Sequence, residues 1–67
     1  MPISARNKLT GKVMSIETGM ITAKVQLDVG GQKLTSIVSK DAVNELGLKE
    51  GDSVDALIKA TSVMLMN

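Results

Sequence analysis

Two short segments of the chain combine a basic side chain with small, hydrogen-bonding neighbours. The first is Ser4-Ala5-Arg6-Asn7, and the second is Lys59-Ala60-Thr61-Ser62. A cation, hydroxyls and accessible backbone N–H groups suit a compact oxyanion, and small side chains let the anion approach the backbone. The two segments therefore predict anion binding. The alternative is that Arg6 and Lys59 are ordinary exposed cations at strand ends.

Ser39 is a third candidate, because its hydroxyl stands at the predicted start of a helix. A helix N-terminus presents unpaired N–H groups and a dipole that favours negative charge. The alternative is that Ser39 serves only as the helix N-cap.

Several residue types that usually carry chemistry are missing, since the chain has no Cys, His, Phe, Tyr or Trp. It therefore lacks a thiol nucleophile, an imidazole base, and the usual ligands of zinc, iron–sulfur clusters and haem. The carboxylates are scattered, so we expect no metal site and no enzymatic activity. Four methionines, Met14, Met20, Met64 and Met66, could suggest a soft metal, but packing in core or interface gaps is the favoured interpretation.

The charge and hydropathy of the chain disfavour large charged partners and membranes. Eight basic and seven acidic residues leave a formal charge of +1, too small to attract nucleic acid or an anionic membrane strongly. No apolar run approaches the roughly 20 residues of a membrane span, and the first residues do not resemble a signal peptide. We expect a soluble, cytoplasmic protein.

Periodicity predicts a meander of three strands in the first part of the chain. Strict alternation from Ile21 to Val29 indicates the clearest strand, preceded by a strand at Leu9–Ile16 and followed by one at Gln32–Val38. Gly30-Gly31 is typical of a tight turn. Gly11 interrupts the first strand and predicts a bulge or a close backbone approach.

A helix, a fourth strand and a short fifth strand are predicted next. The helix begins after Ser39, buries a face formed by Ala42, Val43 and Leu46, and ends at Gly47, with Leu48 making the contact after the cap. Strands follow at Ser53–Lys59 and Val63–Met66. Five strands with a helix between the third and fourth indicate a small all-β OB-like barrel, with an SH3-like barrel as the alternative.

The core must be small, because apolar residues form 43% of the chain and none is aromatic. One domain spanning residues 1–67 is expected. Small domains bury only about 60% of their unfolded surface and commonly gain stability from disulfides, metals or oligomerisation. Without cysteine, oligomerisation is the expected solution.

The candidate segments also carry a family likeness. Ser4 to Leu9, followed by Gly11-Lys12-Val13, resembles the opening of the molbindins, the small molybdenum-pterin-binding (Mop-type) proteins. The likeness continues through Thr35–Ser39 and Val43–Gly51 and closes with Ile58–Met64, so it covers nearly the whole chain.

The resemblance implies an OB-like fold, a homohexamer built as a trimer of dimers, and binding of molybdate or tungstate at subunit interfaces. It places Ser4, Ala5 and Arg6 of one subunit against four residues of a neighbour, which are Ser39, Lys59, Ala60 and Thr61. Ala42 stands where some relatives carry a hydroxyl, so one ligand of the pocket is absent here. The family's second kind of site, near the threefold axis, cannot be assigned to residues of this chain.

Two functions follow as hypotheses. The first is a non-enzymatic molybdate-binding protein for intracellular molybdenum storage and homeostasis, with no further cofactor. The second is an oligonucleotide-binding OB module, which would need stacking aromatic residues and a basic groove. The first is favoured because this chain has no aromatic residue and a charge of only +1. Sulfate is the hardest competing ligand to exclude, since it is also a tetrahedral dianion.

Overall fold

The computed structural model describes residues 5–67 as a four-stranded antiparallel sheet with one short helix. The elements are β1 (Asn7–Thr18), β2 (Thr22–Asp28), β3 (Lys33–Ser39), α1 (Lys40–Leu46), β4 (Ser53–Ile58) and a final 3₁₀ turn (Ala60–Ser62). The strand order across the sheet is β3-β2-β1-β4. This confirms the predicted all-β class and the helix between the third and fourth strands.

A β-bulge near the middle of β1 keeps its apolar side chains on one face. Val13 pairs with Leu27 and Ile16 pairs with Val25, and the register shifts across Met14. Because a bulge adds one residue to one strand, Val13 and Ile16 can both face the core although they are three positions apart. This bulge lies beyond Gly11 and was not predicted at Met14.

The other prediction made for Gly11, a close backbone approach, is confirmed. A Cβ atom built at this position would lie 2.7 Å from Val29 Cγ1 and 3.0 Å from the carbonyl oxygen of Asp28. Both distances are shorter than ordinary van der Waals contact. The end of β2 can therefore pack over β1 only because this position has no side chain.

The helix begins and ends where the sequence predicts. The Ser39 hydroxyl oxygen accepts a hydrogen bond from the Ala42 N–H at 3.0 Å, and Gly47 ends the helix in the left-handed conformation with φ 63°. Leu48 then packs against the core. The predicted buried face is wrong at Leu46, whose side chain is 71% exposed. A helix of only seven residues presents little more than Val43 to the sheet.

The buried core lies on the concave face of the sheet and consists of small aliphatic side chains: Val13, Ala23, Val25, Leu27 and Val43. The sheet curls far enough for its two edge strands to line one groove. This groove has a volume of about 370 Å³ and is lined by Leu34 to Ser36 and Val38 of β3 and by Asp55 to Ile58 of β4. β3 and β4 are not paired with each other, so within residues 5–67 the curled sheet has two free edges.

The fifth strand predicted at Val63–Met66 is wrong for this chain. Residues 63–67 form no regular secondary structure, and the side chains of Met64, Leu65 and Met66 are more than 90% exposed. A strand needs the backbone groups of a neighbouring strand, and within residues 5–67 no strand pairs with this segment. The five-stranded barrel is therefore corrected to a curled sheet of four strands.

Candidate functional site

The antiparallel pairing of β1 with β4 brings the two basic segments of the sequence together. The last pair of this ladder is Asn7 with Ile58. Arg6 and Lys59 are the next residues beyond these strand ends, although 53 positions separate them in sequence. Both residues are exposed, and Ala5 beside them is half-buried. The fold thus juxtaposes the backbones of two cationic residues at one end of the sheet.

Neither cation of this pair is neutralised within the part of the chain that the structure describes. The ion pair found among residues 5–67 joins Lys24 to Glu17 at 3.8 Å, on the outer face of β1 and β2. Two unpaired like charges at adjacent positions repel each other and attract a multivalent anion.

The 3₁₀ turn after Lys59 adds backbone donors to this end of the sheet. It closes with hydrogen bonds from Ser62 N–H to the Lys59 oxygen at 2.8 Å and from Val63 N–H to the Ala60 oxygen at 3.3 Å. The first N–H groups of a helical turn have no partner within it, which here means those of Ala60 and Thr61. Ala60 and Thr61 are exposed, so their N–H groups and the Thr61 hydroxyl are available to a ligand.

Ser39 lies at a different place from the two basic segments of the same chain. It pairs with Thr22 at the start of β2, beside the hairpin that follows Thr18. Arg6 and Lys59 flank the opposite end of β1, which is 12 residues long. One chain therefore brings Arg6, Lys59, Ala60 and Thr61 together and does not bring Ser39 to them. Ser4, the remaining predicted site residue, lies outside the described residues.

The helix cap uses the Ser39 hydroxyl only as a hydrogen-bond acceptor. Its oxygen accepts from the Ala42 N–H, and a serine hydroxyl also carries a proton that it can donate. Capping and donation to an anion are therefore compatible at Ser39. Ala42, half-buried in the first turn, offers no side-chain donor of its own.

One residue of the site region has a contact that the sequence did not indicate. The Asn7 side-chain amide donates to the Ile58 carbonyl oxygen at 3.3 Å, across 51 positions of sequence. Only the register of β1 against β4 shows this contact, because no local pattern connects the two residues.

Three carboxylates within residues 5–67 accept hydrogen bonds from other parts of the fold. Asp28 and Asp52 accept backbone N–H groups in turns at 2.8 and 2.9 Å, and Asp55 accepts from the Thr10 hydroxyl at 2.8 Å. No group of three or more acidic residues in this part of the chain is arranged to hold a metal ion. No helix in the described part is long and apolar enough to cross a membrane.

Comparison with known proteins assigns the chain to a family. Residues 3–65 match the model of the TOBE domain. The chain belongs to the TOBE domain family. It is 55% identical over 67 residues to molybdenum-pterin-binding protein 1 of Clostridium pasteurianum, with 98% of each chain covered. The predicted resemblance to the Mop-type proteins is thereby confirmed.

Solved structures share the fold of this TOBE domain. The molybdate binding protein from Sporomusa ovata superposes with a TM-score of 0.95 at 40% identity, covering 100% of both chains. The cytoplasmic molybdate-binding protein ModG, solved with molybdate bound, superposes with a TM-score of 0.84 at 56% identity. That match covers 90% of the present chain and 43% of ModG. These relatives are described as binding proteins.

Proposed function

We propose that this TOBE domain binds molybdate, or tungstate, as an intact oxyanion. The observation that carries the proposal is the pairing of β1 with β4, which juxtaposes Arg6 and Lys59 without a neutralising carboxylate among the described residues. In a site shared between copies, Arg6 of one copy and Lys59 of another match the two negative charges of the anion. The N–H groups of Ala60 and Thr61 add donors beside them.

The oxygens of such an anion, and not its metal centre, are what this site would bind. Burying a dianion is costly unless opposite charges and several donors meet it. Cationic side chains, hydroxyls and backbone N–H groups fulfil that requirement, and Cys or His ligands are not needed. The absence of both residue types is compatible with this chemistry.

We propose further that the site is shared between copies of the chain. The proposed ligands are Ser4, Ala5 and Arg6 from one copy and Ser39, Lys59, Ala60 and Thr61 from neighbouring copies. The separation of Ser39 from Lys59 within one chain supports a shared site, because a single chain does not assemble the set. Two free sheet edges and the exposed apolar segment Met64–Met66 support assembly itself.

A homohexamer, arranged as a trimer of dimers, is the proposed assembly, since the Mop-type resemblance implies it. The proposed role is storage and buffering of molybdate in the cytoplasm, without catalysis. An oligonucleotide-binding role has less support, because the chain has no aromatic residue for base stacking and a charge of only +1.

Calorimetric titration tests the ligand assignment directly. Molybdate, tungstate, sulfate and phosphate are titrated into the wild-type protein in one buffer at one ionic strength. We expect molybdate and tungstate to bind more tightly than sulfate and phosphate. Equal affinity for all four anions would indicate a general anion site, and an absence of molybdate binding would contradict the proposal.

Mixed assemblies test whether the site is shared. Arg6→Ala and Lys59→Ala subunits are unfolded together, refolded as a mixture and titrated with molybdate, and each variant refolded alone is the control. If Arg6 and Lys59 of different copies hold one ion, some sites in the mixture contain both cations and regain wild-type affinity. If both cations come from the same copy, mixing does not restore molybdate affinity.

A further inference from the structure

The Asn7 side chain joins the two segments of the proposed site at the point where they leave the sheet. Its amide donates to the Ile58 carbonyl oxygen at 3.3 Å. That carbonyl belongs to the peptide group whose nitrogen is the backbone nitrogen of Lys59. Asn7 in turn follows Arg6 directly. One hydrogen bond thus connects the neighbour of one cation to the peptide group of the other.

The bond lies at the end of the β1–β4 ladder, where the two strands are held together least firmly. Asn7 and Ile58 form the terminal pair of the β1–β4 ladder, and terminal pairs open more readily than interior ones. Beyond this pair, Arg6 and Lys59 have no ladder bonds to fix their separation. A side-chain bond at this position therefore affects the geometry of the two cations more than the stability of the sheet.

A second side-chain bond across the same two strands provides a natural comparison. The Thr10 hydroxyl donates to Asp55 Oδ1 at 2.8 Å, three positions further into the ladder. Paired residues flank this bond on both sides, so its loss leaves the terminal pair in place. It contributes to the same strand pairing without touching either basic segment.

We propose that Asn7 is a positioning residue for oxyanion binding. Its amide holds the Ile58–Lys59 peptide against the start of β1, and so fixes the arrangement in which one copy presents Arg6 to one shared site and Lys59 with the following turn to another. This inference rests on the proposed function, because it assigns Asn7 a part in the same site. Asn7 acts through Arg6 and Lys59 and is not itself a ligand of the anion.

Three variants test the role: Asn7→Ala, which removes the amide, Asn7→Gln, which keeps a donor on a longer side chain, and Thr10→Val, the matched control. Molybdate affinity, melting temperature and the rate of tryptic cleavage after Lys59 in the ion-free protein are measured for each. We expect Asn7→Ala to weaken binding roughly three- to tenfold, the effect of losing one neutral hydrogen bond. Tryptic cleavage after Lys59 should accelerate in Asn7→Ala. Asn7→Gln should recover part of the lost affinity and part of the resistance to cleavage.

Thr10→Val should lower the melting temperature at least as much as Asn7→Ala while leaving molybdate affinity and cleavage unchanged. Equal affinity of Asn7→Ala and wild type would overturn the inference and leave the proposed function standing. Weaker binding with unchanged cleavage would also overturn it, since Asn7 would then contact the ion directly. Equal losses of affinity in Asn7→Ala and Thr10→Val would show a merely structural role. If wild-type protein bound no molybdate, the proposed function would fail first, and this inference with it.

Discussion

At the scale of single residues, the site depends on charges that the chain leaves uncompensated. Arg6 and Lys59 leave the sheet at the same end, and no carboxylate among the described residues pairs with either. Cationic side chains on a protein surface are often solvated by water alone. Adjacency is what distinguishes these two, because each raises the electrostatic cost of the other until anions bind at this end of the sheet.

We expect Arg6→Ala and Lys59→Ala each to weaken molybdate binding by roughly ten- to more than a hundredfold, because each removes a charge-assisted hydrogen bond to a desolvated anion. Calorimetry gives the affinities, and circular dichroism checks that the fold is retained. Lys49→Ala is the control, since Lys49 is an exposed cation in the turn before β4. If either site variant bound as tightly as the control, that residue would be an ordinary surface cation.

Ser39 allows capping and anion binding to be separated. We expect Ser39→Asp to retain the helix cap, since a carboxylate accepts from the Ala42 N–H, and to lose molybdate affinity by charge repulsion. Ser39→Ala removes the cap and should lower the free energy of unfolding by about 0.5–2 kcal/mol. Urea unfolding and calorimetry on both variants provide the measurements. Unchanged affinity in Ser39→Asp would leave Ser39 with its structural role only.

At the scale of elements, the close approach at Gly11 fixes how the end of β2 packs over β1. We expect Gly11→Ala to destabilise the protein by about 1–3 kcal/mol, because the new methyl group overlaps Val29 Cγ1 and the Asp28 carbonyl oxygen. Urea unfolding measures the loss.

Gly19→Ala is the matched control in a neighbouring turn. A Cβ atom there would meet only the Thr22 carbonyl oxygen, at 3.5 Å, which is ordinary contact. Its stability should stay close to that of the wild type. Similar losses in the two variants would mean that backbone freedom, and not the steric overlap, makes glycine necessary at Gly11.

The elements of this fold differ in how far the sequence predicts them, and the differences have physical causes. The alternation in β2 and the cap signals at Ser39 and Gly47 are local, so the predicted strand and helix are confirmed. The bulge across Met14 depends on the register with β2, which no local pattern contains. Val63–Met66 has the composition of a strand but no strand partner among the described residues.

The candidate site also combines features that the local sequence predicts with features that depend on the pairing of distant strands. The residue types around Arg6 and Lys59 predict anion chemistry from sequence, because cations beside small hydrogen-bonding residues are recognisable locally. Their adjacency depends on pairing between the first and last strands. The role inferred for Asn7 depends on one contact across that pairing, so only the fold could suggest it.

At the scale of the whole molecule, binding and assembly should be linked. If the ion bridges copies, it relieves repulsion between cations and adds hydrogen bonds to more than one chain, so it stabilises the assembled state by mass action. We expect molybdate to raise the melting temperature and suppress subunit exchange, with sulfate doing so less. High salt should partly reproduce the effect by screening the empty site. Unchanged melting and exchange at saturating molybdate would contradict the interfacial site.

The assembly itself is checked by sedimentation equilibrium. We expect the mass of six subunits in the presence of molybdate and a melting temperature that falls on dilution, because a hexamer would cover apolar surface that is exposed on the single chain, such as Met64–Met66. A mass of one or two subunits at working concentration would contradict both the hexamer and the shared site.

The pairing of the first strand with the last also determines when the site can form during synthesis. The β1–β2–β3 meander is complete at Ser39, but one edge of β1 stays unpaired until Ser53–Ile58 has been made. Contacts between such distant segments form slowly, because the entropy of closing the loop between them is lost before the contacts stabilise the fold. A growing chain therefore carries Arg6 long before Lys59 exists, and molybdate cannot guide the folding of the meander. If the ion bridges copies as proposed, it can act only on folded chains, by slowing their separation from one another.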